Sequence, residues 1–223
     1  NTKLRKNIAK YCGRNTDEVE YFASSDALHE YVIKVFCEPD SSIVMLSPTY
    51  DNFRAVSESS GIKVHHHQID FVDTKNITYE SIYETLKHLN PNIVYICNPN
   101  NPTGTIYNIK LIEKLISDNP KIMFLVDEAY YEFTKVTASD IVPLYENIII
   151  CRTFSKAFGL ASFRVGYAIS GKTNIEALRK VKNHKNISSL AQTAAMAVLG
   201  DLDYMESYVD EVLTAKKSFV SFL

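Results

Sequence analysis

The sequence predicts an α/β protein with a mostly parallel β-sheet, and three observations carry that prediction. Short, continuously apolar runs alternate with segments of helical periodicity between Ile43 and Cys151, the pattern of strands covered on both faces. Polar clusters follow four of these runs, at the strand ends where open parallel sheets bind ligands. A last apolar run, Val165 to Ile169, follows Arg164, and only seven residues separate Lys156 from Arg164. Parallel neighbours need a connection of about a dozen residues, so this strand runs antiparallel and starts at the edge where the polar clusters lie.

In chain order, Leu4, Ile8 and Tyr11 mark an amphipathic helix that Gly13 closes. Val19 to Ala23 is β-prone, and Ser24-Ser25-Asp26 cap a helix from about Asp26 to Cys37, with Leu28, Tyr31, Val32, Val35 and Phe36 inward. Strand–helix pairs follow: Ile43–Leu46 with Asn52–Ser60, Ile62–Ile69 with Tyr79–His88, and Ile93–Cys97 with Asn108–Ser117. Ile122–Val126 precedes a broken helical stretch, and Ile148–Cys151 closes the series. Beyond Ser188 the chain reads as helical, with Leu190, Ala194, Ala197 and Val198 on one face. A second helix starts near Tyr204, and its stripe of Tyr208, Val212, Ala215, Phe219 and Phe222 stops without a cap. Both ends read as cut from a longer protein.

The chain has 223 residues, 46% of them apolar and 22% charged, within reach of one large core. A net charge of −2 offers no footprint for nucleic acid or an anionic membrane. No apolar run reaches the length of a membrane span, and no signal-peptide pattern is present. Cys12, Cys37, Cys97 and Cys151 are widely spaced and read as buried thiols of a cytoplasmic protein, not as disulfides or metal ligands. Asn76-Ile77-Thr78 and Asn186-Ile187-Ser188 match the glycosylation pattern by chance.

The four polar clusters are Ser47-Pro48-Thr49-Tyr50, Asn98 to Gly104, Asp127-Glu128-Ala129-Tyr130 and Thr153 to Lys156. Hydroxyls and a lysine in a short turn, with Arg164 opposite, suggest a phosphate site beside a reactive amine. Lys156 has a plainer reading as a solvated lysine, but it stands between a buried strand and an apolar turn, where a lysine forms a Schiff base with a carbonyl. Asp127 has a capping role as its plainer reading, and NPNNPTG reads equally as a turn. Gly166 to Thr173, GYAISGKT, matches a phosphate-loop pattern, and Ile122 to Glu128 resembles the acidic strand of an ATPase. In a phosphate loop, however, the strand precedes the first glycine; here it runs through the pattern. His65-His66-His67 point alternately across a strand and cannot converge on a metal; an exposed edge strand explains them.

NPNNPTG, DEAYYEF, RTFSKAFGLASFRVGY and NISSLAQTAA, in this order, resemble the class I/II aminotransferases of the fold-type-I pyridoxal-phosphate enzymes. FCEP and SPTY bring the resemblance nearest to the histidinol-phosphate aminotransferases, and it covers essentially the whole chain. It implies a three-layer α/β/α large domain over residues 1–223, with a seven-stranded sheet containing one antiparallel strand, and pyridoxal 5′-phosphate (PLP) as cofactor. By resemblance, Lys156 bonds the cofactor and shuttles a proton, Asp127 pairs with its ring nitrogen, and Asn101 and Tyr130 bind its 3′ oxygen. Tyr50 stacks on the ring. Ser155 and Arg164 hold the phosphate, supported by Thr153 and by the helix start at Ser25, Asp26 and Ala27. The implied reaction is ping-pong amino transfer between a donor such as glutamate and an oxo acceptor, in a homodimer.

Three departures stand out. Phe22-Ala23-Ser24-Ser25 replaces a glycine-rich loop and Ala27 a common acidic residue; Asn183-His184-Lys185 replaces a Pro-Pro-aromatic segment. An N-terminal arm, a C-terminal small domain and its carboxylate-binding arginine have no counterpart, so the chain alone is expected to bind cofactor better than it turns substrate over. A decarboxylase of the threonine-phosphate type shares these motifs and is the alternative within the cofactor class; an ATPase and a non-catalytic scaffold are the alternatives outside it.

Overall fold

The computed structural model describes residues 2–72 and 77–222; Asn76, of the first glycosylation match, lies outside them. Seven strands form one sheet in the order β1-β7-β6-β5-β4-β2-β3. They are β1 (Val19–Phe22), β2 (Ser42–Ser47), β3 (Lys63–Gln68), β4 (Ile93–Cys97), β5 (Met123–Asp127), β6 (Ile148–Thr153) and β7 (Gly166–Ser170). Only β7 is antiparallel, pairing Thr153↔Gly166 with β6 and Phe22↔Gly166 with β1. Its first residue therefore lies level with the ends of its neighbours, as the short link from Lys156 requires.

The helices are α1 (Thr2–Cys12), α2 (Ser25–Phe36), α3 (Asn52–Ser59), α4 (Tyr79–Leu89), α5 (Ile109–Asp118), the single turn α6 (Tyr131–Thr134), α7 (Lys172–Val181), α8 (Ser189–Val198) and α9 (Leu202–Phe222). They cover the sheet in three layers because strand residues alternate between two cores. Val94, Ile96, Phe124 and Val126 face the core of α1, α4, α5 and α8; Ile93, Tyr95, Cys97 and Leu125 face that of α2, α3 and α7. Continuous apolar runs were thus needed on the central strands. β3 is one of the two outer strands and is polar, and its histidines divide as expected: His66 Nδ1 pairs with Ser47 Oγ at 2.7 Å and His67 Nδ1 with Thr85 Oγ1 at 2.8 Å.

Helix α7 begins directly after β7, in a stretch where no element is read from the sequence; its buried apolar residues are Ile175 and Leu178. Three expectations are corrected, on α8, on α9 and on the cysteines. The inward face of α8 is Ala191 and Ala195, one helical turn apart and packed into the core, while Leu190, one position away around the helix, is 70% exposed. Helix α9 buries Met205 and Val209 and leaves the expected stripe of Tyr208, Phe219 and Phe222 exposed. Of the cysteines, Cys97 and Cys151 are buried, whereas Cys12 and Cys37 are only half-buried; all four are free thiols. Among the described residues, no helix is long and apolar enough to cross a membrane.

Candidate active site

At the carboxyl ends of β2, β4, β5 and β6, the chain leaves the sheet in four polar turns around one cleft. Tyr50, Asn101, Asp127, Tyr130, Thr153, Ser155 and Lys156 line it from those turns, Arg164 from the start of β7, and Ser25 and Asp26 from the start of α2. Ten of the eleven sequence-predicted residues are therefore brought together. Ala27 is not among the lining residues: its N–H donates to Ser24 Oγ at 3.2 Å, which caps α2.

The buried end of the cleft is Asp127, 2% exposed. Its Oδ1 accepts from the Ala129 N–H at 3.1 Å, and its Oδ2 accepts from the Tyr95 hydroxyl at 2.9 Å. Burial, reinforced by Asp127, pushes the Tyr95 hydroxyl far above its ordinary value, so it stays a donor. His29 of α2, wholly buried, places Nε2 3.2 Å from the same Oδ2. Neither Tyr95 nor His29 was singled out in the sequence, although His29 stands one helical turn from Ser25 on the same face. Glu128 turns away, as alternation along a strand requires, and its carboxylate accepts from Arg152, Thr137 and the Ala138 N–H in a buried cluster. The Asp–Glu pair thus serves two separate sites, unlike the acidic strand of an ATPase.

Lys156 stands on the turn after β6, anchored by the buried side chains of Phe154, Ala157 and Phe158. The turn closes through the Gly159 N–H to the Lys156 carbonyl and the Leu160 N–H to the Phe154 carbonyl, both at 2.9 Å. Lys156 itself is exposed, with Nζ 5.3 Å from the Tyr130 ring centroid. On the opposite wall, Asn100 ties two turns together: its Oδ1 accepts from Thr49, and its Nδ2 donates to the Pro48 carbonyl and to Thr103. Asn100 is what fixes neighbouring Asn101 and Tyr50, and the sequence showed it only as part of a turn.

The other end gathers two hydroxyls and a guanidinium. Ser155 Oγ and Thr153 Oγ1 lie 2.9 Å apart, and the Ser155 N–H donates to Thr153 Oγ1. Arg164 sits in the left-handed region at φ 54° and pairs through Nη2 with Asp26 Oδ2 at 2.8 Å. Asp26 Oδ1 accepts from Asn52 Nδ2 and, at 3.4 Å, from the Tyr50 hydroxyl. Partial burial and the Asp26 carboxylate push that hydroxyl up to about 12.

Gly166 seats α2 in this site. A methyl group there would stand 2.5 Å from the Ser25 nitrogen and 2.7 Å from the Ser24 carbonyl carbon, so only glycine lets the helix start rest on the strand. The apparent phosphate loop dissolves in the same way: β7 carries its first half to the far edge of the sheet, where Lys172 pairs with Asp17 at 3.6 Å.

The sequence pattern of the family described as Aminotransferase class I and II matches residues 1–223. The chain is 47% identical to a dihydroxyacetone phosphate transaminase of Campylobacter jejuni over 100% of this chain and 60% of that protein. It is 35% identical to a histidinol-phosphate aminotransferase of Geobacillus sp. over 98% of this chain and 60% of that protein. A structure of histidinol-phosphate aminotransferase from Sinorhizobium meliloti, in complex with pyridoxal-5′-phosphate, superimposes with a TM-score of 0.89 at 24% identity, a likeness of fold covering 96% of this chain and 59% of that one. The chain thus spans about 60% of the length of the curated relatives it matches. A family pattern that runs from the first residue to the last, on a fold that gathers its polar motifs at one sheet edge, settles membership: the chain belongs to the class I and II aminotransferases.

Proposed function

We propose that this chain is the cofactor-binding large domain of a PLP-dependent aminotransferase. The observation that carries the reading is the spacing of three unlike groups around one cleft: the Lys156 amine, the buried Asp127 carboxylate and the Arg164–Ser155 anion end. The donor set fits PLP, which carries an aldehyde, a basic ring nitrogen and a phosphate. When bound, PLP supplies a carbonyl that condenses with amines and a ring that draws electrons from the adjoining carbon.

Each residue then has one task. Arg164, Ser155 and Thr153, with the helix start at Ser25 and Asp26, would hold the phosphate. Asp127 would meet the ring nitrogen and hold a proton there. Tyr50 would lie against the ring, and Asn101 and Tyr130 would hydrogen-bond its 3′ oxygen. Lys156 would hold the cofactor's carbonyl end and, when free, would move a proton at the substrate's amino carbon. The phosphate-end residues would keep the site occupied while the lysine is free.

The reaction we infer is ping-pong amino transfer from a donor such as glutamate to an oxo acceptor. The named relatives support a small phosphorylated substrate, since their names specify dihydroxyacetone phosphate and histidinol phosphate. We place the complete protein in the cytoplasm as a homodimer. To test the cofactor assignment, PLP is added, the protein is reduced with borohydride, and the labelled peptide is mapped by mass spectrometry. Label on Lys156 is expected; label elsewhere, or none, refutes it. With the full-length enzyme and amino substrates, the pyridoxamine form is expected, and release of carbon dioxide in its place would make the enzyme a decarboxylase.

A further inference from the structure

His29 is a buried histidine that no packing argument requires. It lies edge-on to Phe53 and Tyr95, at centroid distances of 5.2 and 5.8 Å, in the apolar layer beneath the cleft. A phenylalanine would fill that space without burying two ring nitrogens. Neither nitrogen has an aligned hydrogen-bond partner among the described residues; the 3.2 Å approach of Nε2 to Asp127 Oδ2 is a close polar contact that lacks hydrogen-bond alignment. An imidazole left so poorly satisfied costs stability, and residues of that kind mark function more often than packing.

The surroundings single out one partner. Asp127 comes from β5, Tyr95 from β4 and Cys151 from β6, and the ligating atoms of His29, Asp127 and Cys151 lie within 4.8 Å of one another; α3 contributes Phe53, which carries no charge. Burial pushes the Tyr95 hydroxyl and the Cys151 thiol far above their ordinary values, so both are neutral. The Asp127 carboxylate is the charge that His29 meets. Oδ2 is engaged by Tyr95 and His29, while Oδ1 accepts one bond from the Ala129 amide and keeps a lone pair for a donor in the cleft.

Resting on the PLP reading above, we propose that His29 is a positioning residue: packed against Asp127 Oδ2, it fixes the orientation in which the carboxylate meets the cofactor's ring nitrogen. Because Ser25 and His29 share one face of α2, the helix that presents the phosphate end also carries the support for the ring-nitrogen end.

The test compares the unaltered chain with His29→Phe and His29→Gln, by PLP titration and by the pH dependence of the bound cofactor's visible absorbance. The expected result is that His29→Phe folds with an unchanged or higher melting temperature and binds PLP about tenfold more weakly, the scale on which outer partners of site groups act. Its absorbance midpoint moves up by about half a pH unit, because a less protonated ring withdraws fewer electrons from the lysine linkage. His29→Gln, which keeps a polar N–H, restores part of both. Should the phenylalanine variant fail to fold, His29→Leu makes the same comparison. Equal affinity and equal midpoint in the apolar variant overturn the role of His29 alone; absence of PLP binding to the unaltered chain overturns the cofactor reading with it.

Discussion

Replacing Gly166 by alanine separates the structural reading of GYAISGKT from the phosphate-loop reading. The new methyl carbon would lie 2.5 Å from the Ser25 nitrogen, where ordinary contact begins at 3.4 Å, so α2 or β7 must move by about 0.9 Å. Both obstacles are backbone, and β7 is hydrogen-bonded on both sides, so the strain cannot be relieved by rotating a side chain. Overpacking of this kind costs about 2–3 kcal/mol, or roughly 5–10 °C in melting temperature for a domain of this size. The displaced group is the helix start that faces Arg164, and PLP affinity should fall at least about tenfold, equivalent to about 1.4 kcal/mol. The control is Gly171→Ala, in the same motif: a methyl there meets nothing within 4 Å and costs only about 0.5–1 kcal/mol of helix-capping preference. The assays are thermal melting and PLP titration of both variants. Parent-like stability and affinity in Gly166→Ala would refute the close-approach argument, and severe loss in Gly171→Ala with Gly166→Ala silent would revive a loop at that end.

Three more predictions concern what holds the site. Asn100→Ala removes an amide making three side-chain hydrogen bonds, and about 2–3 kcal/mol of stability should go with them, measured by urea unfolding. Glu20, buried among Arg5, Arg179 and Lys182, would have its carboxyl raised by burial, but Lys182 and Arg179 outweigh this and hold it below its ordinary 4.5. Its stabilisation is complete above pH 4.5 and drains as pH falls through the lower folded value; Glu20→Ala, which leaves Lys182 buried and unpaired, should cost about 3–5 kcal/mol at pH 7. Glu132 behaves oppositely: burial pushes it up to about 7, so it favours the fold below pH 4.5 and that contribution is lost as pH rises to about 7. Glu132→Gln, which keeps an acceptor for the Tyr11 hydroxyl, should flatten that part of the pH–stability curve and raise stability at pH 8 by up to about 3 kcal/mol.

Much of the fold was legible because strands buried on both faces must be apolar through their centres, as Ile43–Leu46, Ile93–Cys97, Met123–Val126 and Ile148–Cys151 are. Helix α7 was not, because its inward face is two apolar residues, Ile175 and Leu178, with Asn174 beside them. The exposed stripe of α9 shows the converse: periodicity announces that a helix has an apolar face, and says nothing about what covers it.

The site divides along the same line. Lys156, Asp127 and the NPNNPTG turn could be named from the sequence because each stands at the carboxyl end of a strand, and Arg164 because it opens the antiparallel strand that starts at the same edge. Whether two strand-end residues face the same way depends on alternation, which sends Asp127 into the cleft and Glu128 to Arg152. Gly166, Asn100 and His29 gain their meaning only from contacts with residues 141, 52 and 98 positions away, Ser25, Pro48 and Asp127. The sequence by itself determined which chemical groups the protein owns and the sheet edge at which they end. Tertiary structure decided how closely the backbones approach and which buried polar atoms meet, because those depend on distances between segments that local periodicity does not encode.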